Sequence, residues 1–365
     1  MSALSYAIRP ATDIQPFQVD VAQAVLDDVN THLARARVPG ELATVSRGRG
    51  VPLDYLAELV DYWRTSYDWR RHEAAINCFP QFTTTINGQT LHFLHVVSPE
   101  PDALPLILRH GWPGSIVEFL DVVGPLAHPR AFGDDPADAF HVVVPSLLGR
   151  GFSSPTTEPG PETDRFAYAC AALMDRLGYD RYAVHVNAAA VGVIPCGDIE
   201  ETTRRQTLHR VVIHSPLDFL AWFVGTVAAW THPSPSLPEG AIDRERLLTS
   251  VMVSWLNAVA ALSAHHSVER GHSQGWPAHP PKPVVAEVTC RNAVARATTI
   301  VHRSTVTHGE HVAKAPSDPL VAALRAFFRP FHHADAAVPE HTGATTASPS
   351  QKGTDNVLFA EYNQW

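Results

Sequence analysis

The residues best placed to do chemistry lie in Arg181-Tyr-Ala-Val-His-Val-Asn-Ala-Ala-Ala190. Tyr182 to Val186 is a short apolar run entered from Gly178-Tyr-Asp180 and preceded by a stretch of helical spacing, so it reads as a buried strand running into a sharp turn. In a hydrolase built on a parallel sheet, such a strained turn holds a nucleophile at its apex and small residues two places to either side. Here the apex is Ala188, with Val186 and Ala190 as flanks. No nucleophile stands there, and one flank is β-branched where glycine is wanted. Asn187 can either donate a hydrogen bond into a pocket or cap the weakened turn, because asparagine tolerates positive φ.

The other chemistry-bearing types do not gather. The chain has 21 histidines, but the pairs His265-His266 and His332-His333 are adjacent, which on a helix turns the two rings apart, and no HxxxH with a carboxylate partner stands out. Cys78, Cys170, Cys196 and Cys290 lack CxxC spacing, as in reduced thiols of a cytoplasmic protein. No metal or other cofactor is expected. A formal charge of −9 and a pI near 6.1 exclude nucleic acid and anionic membranes as partners, whose phosphates would be repelled. Met1 to Pro10 has no basic region followed by an apolar run, and the most apolar window, Phe219 to Trp230, is too short to span a bilayer.

With 365 residues, 45% of them hydrophobic and 18% charged, the chain can bury one large α/β core with a lid, or fold as two ordinary domains. Its pattern favours the first. Residues 17 to 37 carry Val19, Val21, Val25, Val29 and Leu33 at helical spacing before Pro39-Gly40, and Pro52 opens a second helix with Leu56, Leu59, Val60 and Trp63 on one face, ended by Tyr67-Asp-Trp69. Phe82 to Ile86, Asn87-Gly88 and Thr90 to Val97 predict a hairpin closed by a type I′ turn. Strands at Leu104 to Leu108 and His141 to Pro145 then alternate with helices at Ile116 to Leu126 and 163 to 177, which implies a parallel sheet covered on both faces. Two apolar helices, about 216 to 230 and 246 to 262, flank the loop Pro233 to Pro238 and read as a lid. Val284 to Val288 and Thr299 to His302 are the last strand candidates, Leu320 to Phe328 is a closing helix, and the tail from Ala334 to Thr354 has the composition of a disordered segment.

Several motifs together resemble the epoxide hydrolases of the α/β-hydrolase fold that carry an N-terminal meander, the microsomal type and its bacterial relatives. They are the Trp69 region with Phe82-Thr-Thr-Thr-Ile, His110-Gly-Trp-Pro-Gly-Ser115, Pro145 to Ser153, Pro216 to Trp222, and Ile300 to His311 followed by Arg325-Ala-Phe-Phe328. The resemblance runs from about Ile8 to Phe328. It implies a meander with a hairpin over 1–100, a hydrolase core over 101–214 and 281–333, a reduced helical lid over 215–280, and a tail over 334–365. It also implies an aspartate attacking the epoxide, a histidine and an acid hydrolysing the ester, and two lid tyrosines protonating the opening ring.

This chain departs from that set. Where the family's turn is similar to Gly-Gly-Asp-Trp-Gly it has Val186-Asn-Ala-Ala-Ala190, and an alanine methyl cannot form an ester. The tyrosine run appears as His265-His-Ser-Val-Glu269, and few residues separate the turn from Thr203-Arg-Arg-Gln-Thr-Leu208. Of the acid, only Glu287 lies nearby. The resemblance leaves His311 as a general base or as a relic that only hydrogen-bonds. It leaves the His110, Gly111 and Trp112 loop as an oxyanion-facing turn or a packing device. Arg150, where the family often has tyrosine, is an exposed side chain or a new anion anchor. Glu310 could orient a histidine. Three functions follow as expectations: opening or cyclisation of an epoxide without an enzyme ester, in small-molecule biosynthesis; a catalytically inactive binding or scaffold protein; and hydrolysis by water that His311 activates. The partner expected is an apolar or polycyclic small molecule, walled by Trp112, Trp222 and Trp255. Oligomeric state stays open, a homodimer included.

Overall fold

The computed structural model describes residues 14–36, 51–111, 114–154, 162–186, 215–230, 243–265, 286–289 and 318–332. Seven strands form one sheet: β1 (Gln15–Phe17), β2 (Gln81–Ile86), β3 (Gln89–Val96), β4 (Leu104–Arg109), β5 (Phe140–Pro145), β6 (Ala183–Val186) and β7 (Ala286–Thr289), in spatial order β1-β2-β3-β5-β4-β6-β7. The first four in that order pair antiparallel, and β5, β4, β6 and β7 run parallel. The expected hairpin is present, with Asn87 at φ 49° and Gly88 at φ 76°, the two left-handed residues that a type I′ turn demands.

The first expected helix is shorter than its apolar spacing suggests. Gln15–Phe17 pairs with β2 as an edge strand, and α1 spans only Gln23–Arg35, burying Leu26, Val29 and Leu33. Val19 is buried outside the helix, where its N–H donates to Asn77 Oδ1 at 2.9 Å, so a tertiary partner overrides the 3.6-residue period. In α2 (Leu53–Thr65) the expected face of Leu56, Leu59, Val60 and Trp63 is buried. Trp69 opens a third helix, α3 (Trp69–Asn77), instead of ending the second, because the Asp68 carboxylate caps it by accepting from Arg70 N.

The two faces of the sheet separate by the period-2 alternation of parallel strands. Leu106, Leu108, Val142, Val144 and Ala183 face a core shared with α1, α2, α4 (Leu120–Ala127) and α8 (Asp318–Phe328). Ile107, Val143 and Val184 face Phe166, Leu173 and Met174 of α5 (Glu162–Arg176), each worth roughly 2 kcal/mol of burial. Arg325 of α8 donates to the Pro125 carbonyl at 2.7 Å, which satisfies the end of α4 and locks the two helices together.

The helices expected as a lid are α6 (Pro216–Trp230) and α7 (Arg244–His265). Phe219, Leu220, Phe223, Leu247, Leu248, Val251, Met252 and Trp255 belong to the same core as the sheet's first face. At the start of α7, Arg246 pairs with Asp121, and the Glu245 carboxylate receives Tyr62 and His72 from the meander. No helix among the described residues is long and apolar enough to cross a membrane. Of the strand expected at Val284 to Val288, the described residues show β7 at Ala286–Thr289. The expectations for Thr299 to His302 and for the tail lie outside the described residues.

Candidate active site

From β4 the chain passes through α4 to β5 on one side, then through α5 to β6 on the other side of β4. The order reverses at β4, and a crevice opens outside the carboxyl ends of strands where such a reversal occurs. Arg109, in register with Val186, ends β4, and Pro145 ends β5. His110, Gly111, Ser146 and Leu147 therefore border the crevice, and residue 188 follows two places after β6.

His110 is buried and fully engaged. Its Nε2 accepts from the Leu147 N–H at 3.1 Å, so the proton sits on Nδ1, which donates to the Gly111 carbonyl at 3.1 Å. Burial first, and the neighbouring Arg109 charge after it, push its pKa down to about 4, against the opposing pull of the Gly111 and Gly114 backbone. A neutral ring with both nitrogens committed pins the exits of β4 and β5 together and has no capacity left to move a proton. Gly114 belongs to the same turn: a Cβ there would lie 1.4 Å from Glu118 Oε1 and 3.1 Å from the Gly111 carbonyl.

A second histidine lies beneath. Ser146 donates its hydroxyl proton to His92 Nδ1 at 2.8 Å, and His92 Nε2 donates to Gln81 Oε1 at 3.1 Å. The order hydroxyl, imidazole, orienting group is that of an activated nucleophile. Both Ser146 and His92 are completely buried, however, and burial, reinforced by His110, depresses the His92 pKa to about 3. A base that weak, oriented by a neutral amide, does not activate a hydroxyl at neutral pH. The array is structural. Sequence reasoning did not single it out, because its members are 54 and 11 residues apart and no local pattern links them.

Arg150 is half-buried in the loop after β5, between Gly149 at φ 71° and Gly151 at φ 55°. Glu287 lies within β7, in register with Val184, and not on a loop beyond the strand's end. Trp112, Asn187, Ala188, Glu310 and His311 lie outside the described residues. Among the described residues, no group of three or more His, Cys, Asp and Glu side chains could hold a metal ion.

Residues 14–119 match the family described as "Epoxide hydrolase N terminus". A protein of Stigmatella aurantiaca whose name assigns it to the epoxide hydrolases is 35% identical over 300 residues, covering 69% of this chain and 68% of the relative. Juvenile hormone epoxide hydrolase 1 of Ctenocephalides felis is 35% identical over 174 residues, which is 47% of this chain but only 37% of that protein's length. The solved juvenile hormone epoxide hydrolase of the silkworm Bombyx mori superposes with a TM-score of 0.64 over 88% of this chain and 95% of its own, at 20% identity, which speaks for the shared fold alone. A meander with its hairpin and a mixed sheet whose parallel half reverses at β4, with homology over more than two thirds of a relative, identify the chain as a member of the epoxide hydrolase family, built on the α/β-hydrolase fold.

Proposed function

We propose that this family member acts on an epoxide-bearing apolar substrate and opens the ring without forming an enzyme ester. The observation that carries the reading is the residue two places beyond β6. Where the resemblance calls for an aspartate, the chain has Ala188, whose methyl has no lone pair to attack carbon. In this reading a nucleophile carried by the substrate, such as a phenol or enol, gives its proton to His311 and attacks an epoxide carbon. The carbon–oxygen bond of the ring breaks, and the alkoxide takes the proton back from His311. The product is an isomer of the substrate, so no co-reactant is consumed. Orientation of the two centres in one crevice can lower the barrier by ~7–11 kcal/mol, enough that a covalent nucleophile is dispensable. Aromatic neighbours in the helices over the sheet support an apolar or polycyclic substrate: Phe219 lies 5.6 Å from Trp222 and 6.0 Å from Trp255, ring centre to centre. A setting in small-molecule biosynthesis, with cyclisation as one outcome, follows from that chemistry.

A second reading is favoured by a specific observation. The nucleophile, the lid tyrosines and the acid depart from the family's pattern together, which is what a binding or scaffold protein freed from chemistry would accumulate. A third keeps hydrolysis, with His311 activating water directly. Chromatographic retention and product NMR together with mass separate all three: phenol-bearing polycyclic epoxides are incubated with the wild type and with His311→Ala in water labelled with heavy oxygen. An unlabelled isomer lost in His311→Ala supports the first reading. A labelled diol supports the third, and a bound but unaltered epoxide the second. Equal turnover by the two proteins removes His311 from the mechanism. Ala188→Asp is expected to yield little diol, since the tyrosines and the acid are still missing; vigorous diol formation would overturn that account.

A further inference from the structure

The loop after β5 is an excursion from the β3–β5 ladder. Ser146 N donates to the His92 carbonyl at 2.9 Å and Ser154 N donates to the Thr90 carbonyl at 3.0 Å, so the two ends rejoin β3 on neighbouring rungs while 147–153 are pushed out between them. Its base is clamped by one residue of β3. The His92 N–H donates to Ser153 Oγ at 3.0 Å, the His92 carbonyl accepts from Ser146, and its ring accepts from the Ser146 hydroxyl. The excursion also closes on itself: Arg150 N donates to the Leu147 carbonyl at 2.9 Å, Ser153 N to the Arg150 carbonyl at 3.0 Å, and Ser153 Oγ to the Ser146 carbonyl at 3.1 Å. Gly151 must lack a side chain, because a Cβ would lie 2.9 Å from Ser146 Oγ.

Besides His110, which accepts from the Leu147 N–H, a helix of the opposite layer reaches this loop. Asn257, buried in the middle of α7, donates from Nδ2 to the Ser153 carbonyl at 3.3 Å. A buried amide in that stretch costs stability unless it is used, and here it meets a carbonyl at the loop's inner end. The upstream part of α7 is fixed independently, through Arg246 to Asp121 and through Tyr67 to Thr249 at 3.1 Å. The helix is thus a firm support against which the loop is held. The His92 side continues into the meander, since Gln81 donates to Asn77 Oδ1 at 2.8 Å and Asn77 donates to the Val19 carbonyl at 2.8 Å.

We propose that Asn257 is a positioning residue: through the Ser153 carbonyl it holds the 147–153 excursion as a fixed wall of the crevice at the carboxyl ends of β4 and β5, and so sets substrate affinity. The proposal rests on the reading that this crevice takes the epoxide. An interaction of this kind is made equally with ground and transition states, so its loss raises KM and leaves kcat nearly unchanged. It also leaves the sheet intact, because His92 still clamps the base.

The test compares wild type, Asn257→Leu and Asn257→Gln. Trypsin cleavage after Arg150 in the native protein reads the order of the wall, thermal melting reads the whole fold, and affinity for trans-stilbene oxide is followed by tryptophan fluorescence beside steady-state turnover of a phenol-bearing epoxide. In Asn257→Leu, cleavage after Arg150 is expected to rise about tenfold, and KM or the dissociation constant several-fold, with kcat within about twofold and melting nearly unchanged. Asn257→Gln restores a donor and recovers at least part of both. Unchanged cleavage overturns the proposal, as does faster cleavage with unchanged affinity and KM, or a fall in kcat matched by a fall in melting temperature. A wild type that neither binds nor converts epoxides overturns the functional reading itself, an outcome seen before any variant is made.

Discussion

The exits of β4 and β6 lie side by side, with Arg109 in register with Val186, yet their sequences obey different constraints. At the β4 exit His110 is tied to Leu147 and Gly111, Gly114 to the space that Glu118 fills, and Ser115 to Val117 N as a helix cap. The β6 exit carries Val186-Asn-Ala-Ala-Ala190, with a methyl side chain at Ala188. Substituting the first set leaves buried polar groups unpaired or atoms overlapping, so packing alone preserves it. The second set departs from the family's pattern at the position where the resemblance calls for an aspartate.

Acid should reveal the β4 side most strongly. His92, His95 and His110 are buried and their pKa values are held near about 3, about 4 and about 4, in each case chiefly by burial. Above the unfolded value of about 6.5 both states are neutral and the contribution is complete. As pH falls from there toward about 4, the unfolded chain takes up protons that the native chain refuses. Stability is then lost at up to about 1.4 kcal/mol per pH unit for each ring, or about 4 for the three. Urea midpoints between pH 7.5 and 5 measure this slope, and His92→Gln should reduce it by about a third. A flat profile would mean that these rings are not committed to the neutral form.

Next in size is Gly114→Ala. The added methyl must expel the buried Glu118 carboxylate, at an expected cost of about 2–3 kcal/mol and a matching fall in melting temperature. His110→Leu should cost about 1–3 kcal/mol, since it strands the Leu147 N–H and the Gly111 carbonyl at a buried position. If either variant were as stable as the wild type, the two exits would not differ as described. A urea titration with an unchanged slope would settle the point, because the slope reports whether the same surface is exposed on unfolding.

The same asymmetry explains what the sequence discloses. Elements carried by local rules were legible: the Asn87-Gly88 turn, the apolar face of α2, the alternation of β4, β5 and α5, and the resemblance borne by His110-Gly-Trp-Pro-Gly-Ser115. Residues fixed by distant partners were not. Val19 is buried outside the helix that its spacing suggests, with its N–H on Asn77, and Trp69 begins a helix because Asp68 caps it. His92, Ser146, Ser153 and Asn257 come from three separate stretches of chain, and neither spacing nor composition shows that they meet. The resemblance singles out His110, but its protonation and its bond to Leu147 needed the second strand in place.

The smallest expected effect belongs to the β6 exit. A strained strand-to-helix turn forces its apex residue into a backbone conformation that only glycine adopts without cost. If the turn keeps that geometry after losing its nucleophile, Ala188→Gly relieves the strain, and the relief outweighs the extra freedom that glycine gives the unfolded chain. A gain of about 0.5–1 kcal/mol in urea unfolding is expected. A loss of similar size would show instead that the turn relaxed when the carboxylate disappeared. The β6 exit would then have given up its shape together with its chemistry, while the β4 exit kept its own.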